Sequence, residues 1–278
     1  RQMCIRDRDY SFSRKLDDRL YGREYELAIN VITPFHEHAE NSELHRTDTV
    51  YRDELRVLMP PDARLMQELL MFKRSEKYIR QNMSMTQQDA VKRILADKGF
   101  QNTERSREIQ QRVEKLLGES RLFVAGTEKE LSSENGKTRV ISGFHDLIAY
   151  TYPNLRMLRG VTYAENNIHQ YLKQAKGSIF EGDAAPLAEA EQEMLAFIQS
   201  NSRGGVRTTL KSLLEKFEKK PFGWYYAAIL CILASLYARG KVEMRADGNL
   251  LEEESILRTL TNSHGHGNVV LDPQVEFS

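Results

Sequence analysis

The stretch that decides the fold lies at residues 223–238 and reads Gly223-Trp-Tyr-Tyr-Ala-Ala-Ile-Leu-Cys-Ile-Leu-Ala-Ser-Leu-Tyr-Ala238. None of these sixteen residues is charged. The stretch predicts a helix from about Trp224 to Ala238 that is buried around most of its circumference. It is too short to span a membrane, which takes ~20 apolar residues, and a serine and several tyrosines dilute it. We therefore expect a central helix of a small domain, with Trp224, Ile229, Leu233 and Leu236 in its core.

A hairpin follows this helix. Val242, Met244 and Ala246 alternate with polar residues, and Asp247-Gly248 is a strong two-residue turn signal before Leu250-Leu251. Two amphipathic helices precede the uncharged helix, at about 187–198 and 210–217. Three helices and a hairpin over 187–251 are the order of a winged-helix module. Residues 176–186, with two glycines, Asp183 and Pro186, are interpreted as a linker, and 252–278 as the start of a further, truncated segment.

The remaining region, 9–175, is predicted to be mostly helical. Short strands are expected at 25–32 and 55–59, helices at 62–80, 86–117 and 139–152, and a small hairpin at 122–131. Thr86-x-x-Asp89 is typical of a capping box, and Gly99 is a candidate bend. Residues 1–8 lack any periodicity and resemble translated sequencing adapter, so we exclude them from the fold. The predicted fold class is mainly α with small β elements (α+β), ending in a winged-helix-like module.

Composition limits the function classes. Forty Lys+Arg balance forty Asp+Glu, which excludes a polybasic nucleic-acid coat. Two cysteines and no signal peptide indicate a cytoplasmic protein without a disulfide framework, and Cys231 is interpreted as an inert packed thiol.

A winged helix raises the possibility of DNA binding. Its candidate recognition helix, Trp224–Ala238, has no Arg, Lys, Asn or Gln to read base edges. We therefore expect only weak, sequence-indifferent contact with the phosphate backbone. The candidate residues for that contact are Lys211, Lys219, Lys220, Lys241 and Arg245.

Other motifs favour structural interpretations. Leu131–Thr138 matches a P-loop except at its first glycine, where Leu131 stands, so a loop that caps the next helix is expected. His36 and His38, and His264 and His266, lack a third ligand at zinc-like spacing and are interpreted as solvated loop residues. Asp17-Asp18 and Glu252–Glu254 are interpreted as solvated turn and helix-start charges. We assign no catalytic, cofactor or metal residue.

Seven segments resemble the BrxC family of large P-loop proteins from BREX phage-defence systems, and the related PglY proteins. They are Tyr10–Asp18, Gly22–Pro34, Lys77–Ile79, Leu116–Gly126, Ala149–Leu155, Lys220–Trp224 and Leu236–Val242. The resemblance implies an internal fragment of an AAA+-type antiviral-defence ATPase, whose core would bind ATP and Mg²⁺ outside this chain. It also implies other BREX proteins and self-association as partners, with non-specific DNA contact and no membrane. No Walker residue has a matching position here.

Two other interpretations remain open. The chain could be a structural or oligomerisation module of an unrelated large ATPase, or a DNA-bound winged-helix regulator. A P-loop encoded upstream and defence genes nearby would favour the BREX interpretation over both of these.

Overall fold

A computed structural model describes residues 3–4, 9–177 and 186–274. The chain forms two compact units that divide between Tyr150 and Thr151. Most of the expected linker at 176–186, with Asp183, lies outside the described residues, and the described residues on both sides of it belong to the second unit. The division comes earlier than expected because Leu158, Ile168 and Leu172 are buried in the same core as the uncharged helix.

The first unit contains a six-stranded sheet in the order β4-β3-β5-β6-β7-β8, with β3, β5 and β6 parallel and the other pairs antiparallel. Its strands are β1 (Met3–Cys4) and β2 (Asp9–Tyr10), which pair separately, then β3 (Phe12–Leu16), β4 (Arg19–Tyr21), β5 (Leu27–Ile32), β6 (Glu54–Leu58), β7 (Arg121–Val124) and β8 (Thr127–Lys129). Its helices are α1 (Ser42–Asp48), α2 (Ala63–Met85), α3 (Asp89–Gly118) and α4 (Gly136–Thr151).

The predicted elements of this unit are confirmed as β5, β6, the β7–β8 hairpin and α2 to α4. Two details differ. α3 starts at Asp89 with Gln88 at its N-cap, so Thr86 ends α2 and does not begin a capping box. Gly99 lies inside one continuous helix. Strands β3 and β4, which complete one edge of the sheet, were not expected from the sequence.

The two faces of the sheet differ in chemistry. Phe12 on β3 packs edge-on against Phe144 of α4, with ring centroids 5.2 Å apart, and Phe144 and Leu147 are fully buried. The cross-strand row Lys15–Asn30–Arg56 lies on the opposite face, because neighbouring residues of a strand point to opposite sides. The sheet thus has an apolar face and a charged face.

The second unit is built around α8 (Tyr226–Ala238). The elements before it are α5 (Ile168–Gly177), α6 (Glu189–Arg203), β9 (Thr208–Thr209) and α7 (Leu210–Glu218), with 3-10 turns at Pro153–Leu158 and Glu165–Asn167. The elements after it are β10 (Val242–Ala246), β11 (Asn249–Leu250), α9 (Glu253–Thr261), a 3-10 turn at Ser263–Asn268, and β12 (Val269–Pro273).

The expected three helices and hairpin of a winged helix are present as α6, α7, α8 and β10–β11. Asp247 and Gly248 both have positive φ, as a two-residue hairpin turn requires. The module does not end at 251, because β12 pairs with β10 and with β9 to give the order β11-β10-β12-β9. Without β12, the backbone groups along one side of β10 would lack their sheet partners.

Candidate functional site

The candidate recognition helix α8 is enclosed by its own unit. No residue from Phe222 to Arg239 is exposed, and the four predicted core residues Trp224, Ile229, Leu233 and Leu236 are buried. α5, α6, α7 and β10 all contact it. A helix that reads DNA must present one face to the major groove. α8 presents no such face, because none of its residues is exposed.

A partly buried ion pair ties the C-terminal end of α8 to α6. The carboxylate of Glu191 on α6 accepts a hydrogen bond from the hydroxyl of Ser235 and pairs with Arg239 at 3.1 Å. The same carboxylate accepts a 2.8 Å hydrogen bond from the backbone N–H of Ala188 and closes the start of α6. The polar side chains at the C-terminal end of α8 therefore have their partners within the second unit.

The five candidate phosphate-contacting residues are spread over this unit. Lys211 is in the first turn of α7, and Lys219 and Lys220 lie between α7 and α8. Lys241 and Arg245 follow α8: Lys241 directly precedes β10 and Arg245 lies in it. α8, which stands between these two groups in the chain, has thirteen residues and is therefore about 20 Å long. The structure does not gather the five charges on one element.

Arg245 is already paired. Its guanidinium lies 3.3 Å from the carboxylate of Glu243 and 3.5 Å from that of Asp272. Lys211, Lys219 and Lys220 are exposed and Lys241 is half-buried. Two acidic neighbours reduce the positive potential that Arg245 offers to a phosphate.

The P-loop-like segment is a packed helix cap. The side chain of Asn135 accepts a 3.0 Å hydrogen bond from the N–H of Thr138 at the start of α4. The guanidinium of Arg139 donates to the carbonyl oxygens of Leu131, Ser133 and Ser120. A P-loop instead leaves successive amides at the helix N-terminus open to phosphate.

Gly118 shows how tightly this loop is held. A Cβ at Gly118 would overlap the carbonyl group of Glu134, so the loop lies directly on the end of α3. The segment is therefore built for packing, and Lys137 is exposed at its edge.

The charged face of the sheet carries a cluster centred on Arg56, which the sequence analysis missed. The Arg56 side chain is 1% exposed and pairs with Glu54 at 2.8 Å, Asp18 at 2.8 Å and Asp48 at 2.9 Å. Lys15 pairs with Glu54 at 2.7 Å. The available signal was an arginine inside the apolar strand Leu55–Met59.

Asp18 corrects the expectation of a purely solvated turn. Both Asp17 and Asp18 lie in the β3–β4 turn with positive φ. Asp17 accepts hydrogen bonds from the N–H and hydroxyl of Thr33, and Asp18 accepts one from Asn30. Glu252, in contrast, lies at the N-cap of α9, as expected of a helix-start charge.

The cluster favours the ionised forms of Glu54 and Asp18. Burial alone would raise the pKa of Glu54, but hydrogen bonds from Lys15, Asn30 and Arg56 outweigh it and lower that pKa. The pKa of Asp18 is lowered in the same way, since the Asn30 hydrogen bond and the charge of Arg56 outweigh burial. A guanidinium surrounded by three carboxylates is a satisfied structural network.

Two of the four predicted loop histidines are not solvated. His266 is buried, with its Nε2 3.0 Å from the carbonyl oxygen of Leu260, and His36 lies 3.1 Å from Asp18. His38 and His264 are exposed. No group of three His, Cys, Asp or Glu side chains within the described residues could hold a metal ion.

His45 is a further buried histidine. Its Nε2 donates to the carbonyl oxygen of His38 at 2.9 Å, and its Nδ1 lies 2.9 Å from Arg56 and accepts from it. Because an arginine only donates, this pattern requires the neutral ring. Burial, together with the charge of Arg56, lowers the pKa of His45.

Cys231 lies in the core of α8. Burial raises the pKa of its thiol to about 12, and its Sγ lies 3.5 Å from the carbonyl oxygen of Ala164. A protonated, enclosed thiol is a packing group and a poor nucleophile.

Comparison with known families matches both units. Residues 2–147 match the model of the fourth domain of the BREX ATP-binding protein BrxC, which is described as having a six-stranded beta sheet. The chain belongs to the BrxC family. Residues 154–273 match the BrxC winged helix-turn-helix domain. No solved structure matches the chain.

The two BrxC domain models agree with the observed architecture. The first unit has the six-stranded sheet, and the second match ends at β12, so it includes the strand that completes the wing. The first match begins at residue 2 and thus includes most of the segment that the sequence analysis set aside. The chain is a segment of a BREX defence protein. Within the described residues no helix has the length and apolar character to cross a membrane.

Proposed function

We propose that this segment acts in assembly and protein docking within a cytoplasmic, ATP-dependent antiviral complex, and has no chemistry of its own. ATP and Mg²⁺ would bind in an ATPase core elsewhere in the parent BrxC protein. Other BREX proteins and further copies of the parent are the proposed partners. Membership of the BrxC family supports this assignment.

The enclosure of α8 carries the proposal. A winged helix that reads sequence offers its third helix to the major groove, but here that helix is uncharged and none of its residues is exposed. Such a module offers loops, a hairpin and outer helices, which are surfaces for protein contacts. The enclosure of α8 argues against the alternative of a DNA-bound regulator.

Weak contact with DNA backbone is the secondary part of the proposal. Lys211, Lys219, Lys220, Lys241 and Arg245 are its proposed residues. Their spread over the unit and the acidic neighbours of Arg245 favour few simultaneous phosphate contacts. Few contacts give low affinity that falls further with salt.

Co-purification tests the docking role. The tagged 278-residue chain is expressed with each of the other BREX proteins of the same system, and complexes are measured by size-exclusion chromatography with light scattering. A stoichiometric complex with at least one BREX protein, or a defined oligomer, is the expected result. A chain that stays monomeric and binds none of them would contradict the proposal.

A further inference from the structure

The longest elements of the first unit form a helical hairpin whose outer part has no core. At its base, Leu65, Ile109 and Leu116 are buried together with Met59. The side-chain amide of Asn102 on α3 donates a 3.1 Å hydrogen bond to the carbonyl oxygen of Phe72 on α2. Beyond this point, between residues 73 and 101, Leu95 is the only buried side chain. The outer part is thus two helices that lack a third.

An apolar stripe runs along the outer part of α2. Met71, Tyr78 and Met85 are spaced seven residues apart and are 54%, 62% and 81% exposed. Ile94 on α3 is 59% exposed. Seven-residue spacing places apolar side chains on one side of a helix, which is the pattern that packs against another helix.

A groove between α2 and α3 joins this stripe to positive charge. Met71, Tyr78 and Ile94 line it, together with the basic side chains of Arg74, Lys98 and Arg105. The hairpin is described throughout, and no acidic side chain lines this groove. An apolar floor with a basic edge complements a helix that is apolar on one side and acidic beside it.

Charge argues against a second copy of the hairpin as the occupant. Residues 71–101 carry seven basic and three acidic side chains, although the whole chain is neutral. The rest of the hairpin, 63–70 and 102–118, carries five basic and four acidic side chains. Neither a parallel nor an antiparallel pair would bring opposite charge to the basic part.

Exposed apolar area argues against nucleic acid. A phosphate backbone is bound by Lys, Arg and polar groups, and it gains nothing from the exposed apolar side chains of Met71, Tyr78, Met85 and Ile94. Burial of these four side chains would instead stabilise a protein complex.

We propose that the groove between α2 and α3 binds an acidic amphipathic helix of a partner protein. The apolar side of that helix would cover Met71, Tyr78 and Ile94. Its Asp or Glu side chains would face Arg74 and Lys98, since Arg105 already pairs with Glu68 at 3.7 Å. This inference rests on the proposed docking role and names the surface and the partner class.

A designed peptide of about 21 residues tests the groove. The peptide carries Leu at heptad positions a and d and Glu at the positions that flank them. A control peptide has Lys in place of each Glu. Anisotropy of the labelled peptides is measured against the 278-residue chain. Saturable binding of the Glu peptide is expected, with the Lys peptide at least tenfold weaker.

Paired variants locate the site. Tyr78→Ser with Ile94→Ser should weaken the Glu peptide at least tenfold. Arg74→Glu with Lys98→Glu should weaken it similarly and strengthen the Lys peptide. Tyr51→Ser and Lys77→Glu are the matched controls, because Tyr51 is 95% exposed and neither residue lines the groove. Circular dichroism should show the same helix content in all variants.

Several results would overturn the inference. They are absence of saturable binding, equal binding of both peptides, equal loss of binding in the control variants, or displacement of the peptide by duplex DNA.

The co-purification experiment separates this inference from the docking role. If a BREX protein binds the Tyr78→Ser, Ile94→Ser chain as well as the native one, docking stands and the groove assignment is wrong. If the Glu peptide binds as expected but no BREX protein does, the groove stands and the docking role fails.

Discussion

Trp224 stacks on Phe217, with ring centroids 4.6 Å apart and ring planes inclined by 13°. The indole N–H of Trp224 donates a 3.0 Å hydrogen bond to the carbonyl oxygen of Asn154. Trp224, two residues before α8, is therefore fixed both to α7 and to the turn that opens the second unit. This pair explains why residues 151–175 fold with the winged helix.

Leu233 tests the burial of α8. Leu233→Ala should lower the free energy of unfolding by about 2–5 kcal/mol, because it leaves a cavity in a packed core. Trp224 is the only tryptophan, so its fluorescence during urea denaturation reports on this unit. Leu250→Ala, at a 54% exposed position of β11, is the control and should have little effect. A loss below about 0.5 kcal/mol at Leu233 would place that residue at the surface.

Arg56 tests the charged cluster. Arg56→Met should destabilise the chain by about 3–5 kcal/mol, because Glu54 and Asp18 lose their buried counter-ion. Urea denaturation followed by circular dichroism measures the loss. Arg46→Met removes an exposed pair with Glu43 and should not move the transition. Equal transitions in the two variants would mean that the cluster contributes no more than a surface ion pair.

His45 gives the chain a dependence on pH. Burial lowers its pKa in the folded state below the ordinary value of 6.5, so the unfolded chain binds the proton more readily. Stability should therefore fall as pH drops below about 6.5. The lowered pKa of Glu54 has the same sign, and its contribution is lost as pH falls below 4.5.

Denaturation at pH 7.0 and 5.5 measures the part due to His45. His45→Gln should reduce the difference in stability between these two conditions, and His264→Gln, at an exposed position, should leave it unchanged. An unaltered difference in the His45→Gln chain would assign the effect to other groups.

We predict that the P-loop-like segment, Leu131–Thr138, does not bind nucleotide. Leu131 replaces the first glycine of the motif, and the N–H of Thr138 at the start of α4 already donates to the side chain of Asn135. Calorimetric titration of the 278-residue chain with Mg-ATP should show no saturable heat, and Lys137→Ala should change nothing. A micromolar site that Lys137→Ala abolishes would contradict this prediction.

Local patterns predicted the elements that depend on neighbours in sequence. The uncharged run at 223–238 predicted α8, and Asp247-Gly248 predicted the turn of the following hairpin. Both signals lie within a short stretch of sequence and do not depend on distant residues. β12 could not be placed, since its partners β10 and β9 are separated from it by α9 or by several helices.

The charged cluster shows the same limit. Leu55–Met59 predicted a strand, but the partners of Arg56 come from the β3–β4 turn, α1 and the strand itself. Three polar residues, Ser13 to Lys15, separate Phe12 from Leu16, so β3 lacks the alternation of apolar and polar residues that would predict a strand. Lys15 is polar because it pairs with Glu54 in the cluster. Only the fold brings these residues together.

DNA binding by the 278-residue chain tests the central claim, that α8 is a core helix and the segment docks proteins without reading DNA. Mobility shift on two unrelated duplexes, at low and at physiological salt, makes the measurement. We expect weak, equal binding at low salt, which Lys219→Ala with Lys220→Ala reduces and physiological salt removes, because log K falls with log salt by about 0.9 per phosphate contact. Tight binding to one duplex that survives physiological salt would contradict the account.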